Sequence, residues 1–169
     1  MLKISQREGG SINLIDLLAA LLIISSLLGV ALPGYQQLSE SQRQAAAINR
    51  LKGILSFARS TASLRQEEVR LCPAQDAKQC SSSTVAKNLL LVVDSTNQPL
   101  AFFQGLDLPT AFPDHDLTLV PLPHRSSGGT LLPCSGFSEV AARGVTFSTV
   151  GRIRVREDPP ASLVNTCPP

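Results

Sequence analysis

The feature that most constrains this chain is an apolar run of nineteen residues, 14–32, whose single charged residue is Asp16. A helix rises about 1.5 Å per residue, so a helix of this length comes close to spanning the hydrocarbon core of a bilayer. The sequence therefore predicts one helix that crosses a membrane. A cleaved secretory signal is the alternative, because Ser25, Ser26 and Ala31 can imitate a small-residue cleavage site.

Asp16 lies near the start of that run, where an unpaired carboxylate is unfavourable. A charged side chain inside a membrane helix costs about 2.5–3.5 kcal/mol on insertion scales unless it has a partner. Cleavage after Ser11 would make Ile12 the amino terminus, one helical turn from Asp16. We therefore predict that the new amino group pairs with Asp16.

Beyond the apolar run, the pattern becomes amphipathic. The three- and four-residue spacing of one helix face recurs in Ala47, Ile48, Leu51, Ile54, Leu55, Ala58 and Ala62. Arg43, Arg50 and Arg59 lie largely off this face. The pattern predicts one long helix, with an apolar half over residues 12–35 and an amphipathic half over residues 36–65 that packs on a small domain.

After residue 65 the period changes to that of short strands. Runs of β-forming residues, separated by Asp, Asn, Gly and Pro, occur at residues 69–72, 89–93, 100–103, 117–120, 145–148 and 152–156. We expect the last two runs to form a hairpin or strand pair. We expect the Pro-, Gly- and Ser-rich segment 109–133 to be largely irregular loop, with Ser126–Gly129 as a flexible turn. The predicted fold class is α+β, a long N-terminal helix laid against a mostly antiparallel sheet formed by residues 66–169.

Four cysteines, at positions 72, 80, 134 and 167, form no C-x-x-C pair, which argues against zinc-ribbon and thioredoxin-like sites. An even count is typical of disulfides formed in an oxidising compartment. Three pairings are possible, and nesting favours Cys72 with Cys80 and Cys134 with Cys167. Four reduced, buried thiols are the alternative.

The sequence carries no recognisable catalytic constellation. The only histidines are His115 and His124, and the adjacent residues of Asp114-His115-Asp116 cannot all face one ion in an extended chain. We predict no enzymatic activity, no metal ion and no cofactor. Aromatic residues make up only 4% of the chain, which argues against a surface that stacks many bases.

Arginines are concentrated near the C-terminus. Residues 143–156 hold four arginines and no acidic residue, in a chain whose net charge is +2. In the strand predicted for residues 152–156, Arg152, Arg154 and Arg156 alternate with apolar residues, so they point to one side at a repeat of about 6.5–7 Å. This repeat matches the phosphates along a DNA strand, and guanidinium groups bind phosphate well.

The pattern thus favours a DNA-binding surface formed by Arg152 and Arg154, with Arg143 and Arg156 added because of their proximity in sequence. Gly151 would allow the turn or a ligand backbone to approach closely. The alternative is that the charges only keep a solvated edge strand soluble.

The segment Gly9-Gly10-Ser11-Ile12-Asn13-Leu14-Ile15-Asp16-Leu17 resembles the class III signal of type IV pilins and type II secretion pseudopilins. Asp16 stands where that family has Glu, Ile12 where it has Phe, and Ser11 where it has Gly. The resemblance implies that a prepilin peptidase removes residues 1–11 by cutting between Ser11 and Ile12. It also implies a single pass in the inner membrane, followed by assembly with other pilins into an extracellular or periplasmic fibre, for which Asp16 is required.

Later residues are similar to the GspH/FimT group of minor pilins and pseudopilins: Ala58-Arg59-Ser60, Leu71-Cys72-Pro73, Cys80 and Cys167. FimT-like minor pilins carry a Gly-Arg-x-Arg motif that binds DNA, and residues 151–154 match it. The resemblance implies a type IV pilin-like fold and a minor pilin that binds the phosphate backbone of double-stranded DNA during natural transformation. A structural minor pilin or pseudopilin that primes fibre assembly without binding DNA is the alternative.

Overall fold

A computed structural model describes residues 14–114, 116–121, 124–136 and 141–168, without the side chains of residues 28–33. The chain divides into two compact units, residues 1–38 and 39–169. The predicted leader and processing site, including Ser11 and Ile12, lie outside the described residues, as does His115.

The long helix, α1, spans Leu14–Arg65 and continues through Pro33 and Gly34. In the first unit, nine of the large apolar side chains that the structure describes are each more than half exposed: Leu14, Ile15, Leu17, Leu18, Leu21, Leu22, Ile23, Ile24 and Leu27. Within the part of the chain that the structure describes, no helix has the length and apolarity that a membrane crossing requires. The single pass expected for residues 12–35 stays a prediction.

In the second unit, α1 buries the face that the sequence predicts. All seven apolar residues of that face are 5% exposed or less. Their three- and four-residue spacing keeps them on one side of the helix, where burial of apolar surface stabilises the packing against the strands. The apolar face that the sequence indicates is therefore the face that α1 buries in this unit.

The strands form two antiparallel sheets. Their bounds are β1 Val69–Ala74, β2 Val85–Ala86, β3 Asn88–Val93, β4 Pro99–Phe103, β5 Thr110–Ala111, β6 Leu117–Leu119, β7 Gly129–Pro133, β8 Gly144–Phe147 and β9 Ile153–Arg156, and a short helix α2 follows at Ala161–Thr166. The first sheet has the order β4-β3-β1-β6, and the second sheet has the order β2-β5-β7-β8-β9. The α+β class is confirmed.

The expectation that much of 109–133 is irregular loop is wrong for its last five residues, which form β7. β7 lies at the centre of the second sheet, and its Leu131 and Leu132 are fully buried on opposite faces. Gly129 and Pro133, the first and last residues of β7, are of types that are common in loops. A short apolar run between such residues is also typical of a strand that is covered on both faces.

Ser126 and Ser127 do not form a flexible turn. The N–H groups of Thr118 and Val120 donate to the Oγ atoms of Ser127 and Ser126, at 2.6 and 3.0 Å. The N–H of Ser127 donates to the carbonyl of Thr118 at 2.9 Å. These bonds fix the segment along β6.

The main core lies between α1 and one face of each sheet, and a smaller apolar cluster covers the opposite face of each sheet. Each small cluster contains a disulfide. The structure joins Cys72 to Cys80 beside the first sheet and Cys134 to Cys167 beside the second sheet, which is the pairing that nesting favours.

Candidate nucleic-acid interface

The predicted hairpin forms between β8 and β9, and β9 is the edge strand of the second sheet. Thr146 faces Arg154, and Phe147 faces Ile153. Ile153 packs against the main core, whereas the side chains of Arg152 and Arg154 are exposed. The two-residue period of a strand therefore directs these arginines away from the core.

A tight turn over residues 148–151 connects the two strands. The N–H of Gly151 donates to the carbonyl of Ser148 at 2.8 Å, and the N–H of Arg152 donates to Ser148 Oγ at 3.0 Å. Gly151 has a φ of +79°, a conformation that side chains disfavour. The backbone that carries Arg152 is thus fixed by the turn.

The side chain that approaches Gly151 comes from α1. Nη1 of Arg59 donates to the carbonyl oxygen of Gly151. A Cβ at position 151 would lie 2.9 Å from Cζ of Arg59, and Gly151 itself is buried. The close approach expected at Gly151 is therefore made by the chain itself, and this glycine shapes the turn without being accessible to a ligand.

Sequence reasoning overlooked Arg59 as a functional residue. The helical period shows that Arg59 lies off the apolar face, and the Ala-Arg-Ser resemblance singles out the position. Neither signal shows that the hairpin turn lies within reach of its guanidinium. That pairing joins residues 92 positions apart in sequence.

The predicted DNA-binding residues fall into two groups. Nη2 of Arg143 lies 3.1 Å from Oε1 of Glu157, and Nε of Arg156 donates to the carbonyl oxygen of Asp158. In the described parts of the chain, the side chains of Arg152 and Arg154 form no hydrogen bond and no ion pair. Arg152 and Arg154 are therefore the predicted residues whose guanidinium groups are wholly unengaged, whereas Arg143 and Arg156, each with one nitrogen engaged, stay predicted contacts.

Outside this hairpin, the structure locates Asp16 and the histidine that the described residues include. Asp16 lies exposed in the first turn of α1, and His124 is exposed in the segment before Ser126. The described residues include no group of three His, Cys, Asp or Glu side chains that could hold a metal ion.

Comparison with known proteins supports the assignment of the fold through solved structures alone. No family model matches the chain, and no curated protein is significantly similar to it. Two crystal structures of the type IV minor pilin FimU from Pseudomonas aeruginosa (strain PAO1) are similar. One has a TM-score of 0.51 and 20% identity over 66% of this chain and 91% of the FimU chain. The other has a TM-score of 0.53 and 19% identity over 70% and 92%. The type IV pilin-like fold expected from the sequence is confirmed.

Proposed function

We propose that this chain is a FimT-like minor type IV pilin that binds double-stranded DNA without sequence specificity through Arg152 and Arg154. The pilin-like fold supports a place in a fibre, and the FimU structures that share this fold are those of a type IV minor pilin. DNA captured in this way would support uptake in natural transformation. The proposed role is binding, and no catalytic step is assigned to the chain.

The observation that carries the DNA-binding proposal is the pair of exposed, unengaged guanidinium groups of Arg152, directly before β9, and Arg154, within it. Each guanidinium offers a planar set of donors that matches a phosphate, and desolvating it breaks no existing ion pair. Contacts of this kind hold a duplex by its backbone and read no bases. The affinity should therefore fall steeply as the salt concentration rises.

The remaining steps of the proposal follow from the resemblance of residues 9–17 to the class III signal of type IV pilins. A prepilin peptidase cuts between Ser11 and Ile12, and the inner membrane holds the apolar helix before assembly. Asp16 then pairs with the new amino terminus as the chain joins other pilins. The exposed apolar side chains of residues 14–27 give the helix a surface that requires such a covering.

The test is a titration of fluorescent duplex DNA with the full-length protein in a mild non-ionic detergent, over a series of salt concentrations. The double variant Arg152→Ala/Arg154→Ala should lose most of the binding. Its plot of log K against log salt should also be less steep, by about 2 in slope. The matched control is Arg50→Ala/Arg65→Ala, which removes the same charge from arginines that bond the carbonyls of Gln104 and Gly105 and pair with Glu67. The control should retain the wild-type slope.

Two outcomes contradict the proposal. A wild-type protein that does not bind DNA removes its basis. If the double variant binds DNA as wild type does but aggregates more readily by light scattering, the arginines serve only to protect the edge strand.

A role in assembly without DNA binding is the second candidate, and the exposed apolar surface of residues 14–27 favours it. Asp16→Ala should then impair incorporation into fibres while the second unit stays folded. Normal incorporation of this variant would contradict the pairing of Asp16 with the new amino terminus. Loss of assembly combined with an absence of DNA binding in the wild type would favour this second function.

A further inference from the structure

We propose that Arg125 is a third phosphate-binding residue of the same surface, supplied by the segment that joins β6 to β7. This inference rests on the proposed function, because it assigns Arg125 to the DNA-binding surface of Arg152 and Arg154. Nothing in the sequence pattern suggests it, since Arg125 stands alone in a Pro-, Ser- and Gly-rich segment, 27 positions before Arg152.

The first observation concerns how arginines are used across the described residues. Most have an internal partner: Arg43, Arg50, Arg59, Arg65, Arg70, Arg143 and Arg156. Within these same ranges, the arginines whose side chains form no hydrogen bond and no ion pair are Arg125, Arg152 and Arg154. A fold that engages its other described arginines leaves these three exposed.

The second observation is that the backbone brings Arg125 to the hairpin turn. The N–H of Ser126, the next residue, donates to the carbonyl of Thr149 at 3.0 Å. Thr149 lies in the turn that leads to Arg152, whose N–H is held by Ser148 Oγ. Arg125 and Arg152 therefore flank the same turn, although they belong to different segments.

The third observation is that the segment carrying Arg125 is held on two sides. Ser126 and Ser127 are fixed along β6 by the hydroxyl and backbone bonds described above. On the other side, a Cβ added at Gly128 would lie 3.2 Å from the carbonyl oxygen of Phe147 and 3.3 Å from Thr149. A preorganised backbone lowers the entropy lost when a charged side chain binds a ligand.

The chemistry around the turn points to phosphate as the ligand. The exposed residues between the arginines are Thr149 and Val150, neither of which is aromatic, so stacking on bases does not contribute there. The backbone bond between Ser126 and Thr149 places cationic residues on two adjacent segments, which is a broader arrangement than a single row. A duplex presents a surface of phosphates wide enough to meet such a patch.

The experiment compares Arg125→Ala with wild type in the titration of duplex DNA by the full-length protein, again over a series of salt concentrations. Arg125→Ala should weaken binding by about three- to tenfold. Its plot of log K against log salt should be less steep, by about 1 in slope. Arg125→Lys keeps the charge and should retain the wild-type slope. Arg65→Ala is the matched control, because it removes one exposed arginine that already has a partner.

The variants also separate this inference from the proposed function. Arg125 has no partner within the described residues, so its substitution should leave the melting temperature unchanged. If Arg125→Ala keeps the wild-type slope while Arg152→Ala/Arg154→Ala loses binding, Arg125 is not a contact and the proposed function stands. If wild-type protein does not bind DNA, both fail.

Discussion

The two sheets are built to the same plan but are secured differently. Each packs one face against α1, and each covers its other face with a small apolar cluster that contains a disulfide. In each, an arginine of α1 donates to the carbonyl of a glycine with positive φ next to the edge strand. Arg50 bonds Gly105 after β4, and Arg59 bonds Gly151 before β9.

The surroundings of the two glycines differ. Arg50 donates to the carbonyls of Gln104 and Gly105, both at 2.8 Å, and a Cβ at Gly105 would meet nothing within 4 Å. At Gly151 the guanidinium of Arg59 occupies the space that a Cβ would take. Gly105 is therefore required only by the backbone, whereas Gly151 is required by the backbone and by its neighbour. The turn with the more crowded glycine is also the one that leads to the unengaged side chains of Arg152 and Arg154.

The largest expected difference between the two sheets concerns the disulfides. Cys134 and Cys167 are separated by 33 positions, and Cys72 and Cys80 by 8. A disulfide that closes a longer loop removes more freedom from the unfolded chain. Replacing Cys134 and Cys167 by serine should therefore lower the free energy of unfolding by about 4 kcal/mol, whereas replacing Cys72 and Cys80 should lower it by about 2.5 kcal/mol. Chemical denaturation of the two double variants measures this. Equal losses would contradict the loop-length argument.

The next comparison is Gly151→Ala against Gly105→Ala. An alanine in the left-handed region costs about 1–2 kcal/mol at either site. At position 151 the methyl group also displaces the end of the flexible Arg59 side chain, and the loss of its hydrogen bond adds about 1 kcal/mol. Gly151→Ala should therefore have the lower melting temperature. If the displaced guanidinium of Arg59 finds another partner, the two variants should instead have equal melting temperatures.

A double-mutant cycle separates the two contributions at Gly151. In an Arg59→Ala background, Gly151→Ala should cost only what Gly105→Ala costs, because the guanidinium that it displaces is already absent. The coupling between positions 59 and 151 should therefore be about 1 kcal/mol. Additive losses in thermal unfolding would show that Arg59 does not hold the turn.

The smallest expected effect is that of Arg50→Ala. Its side chain is largely exposed, so the loss of its two bonds should lower stability by about 1 kcal/mol or less. The variant should bind duplex DNA with the wild-type salt slope, since β4 lies in the other sheet. A changed slope would place a DNA contact on the first sheet as well.

The sequence predicts the elements best where periodicity is strong. The seven-residue face of α1 and the β8–β9 hairpin follow from spacing alone. β7 does not, because Gly129 and Pro133 at its ends are also typical of loops. Its burial depends on β5 and β8, which lie on either side of it in the folded sheet.

The candidate site was only partly predictable for the same reason. Alternation along β9 indicates which residues point outward, but it does not show which of them are already engaged. Glu157 and Asp158 directly follow the arginine-rich segment 143–156. Glu157 pairs with Arg143, and the carbonyl of Asp158 accepts a hydrogen bond from Arg156. The contact between Arg59 and Gly151 and the position of Arg125 beside Thr149 depend on tertiary packing, which local sequence does not reveal.

The position of β9 has a mechanical consequence. As an edge strand, it is held on one side only, by β8, so a ligand pulled away from Arg152 and Arg154 loads the hairpin from its open side. The bonds to β8 would open in succession under such a force. The chain beyond β9 passes through α2 to Cys167, which is joined covalently to Cys134 at the end of β7. Peeling can therefore proceed only until the short C-terminal segment is taut, and the disulfide then carries the tension.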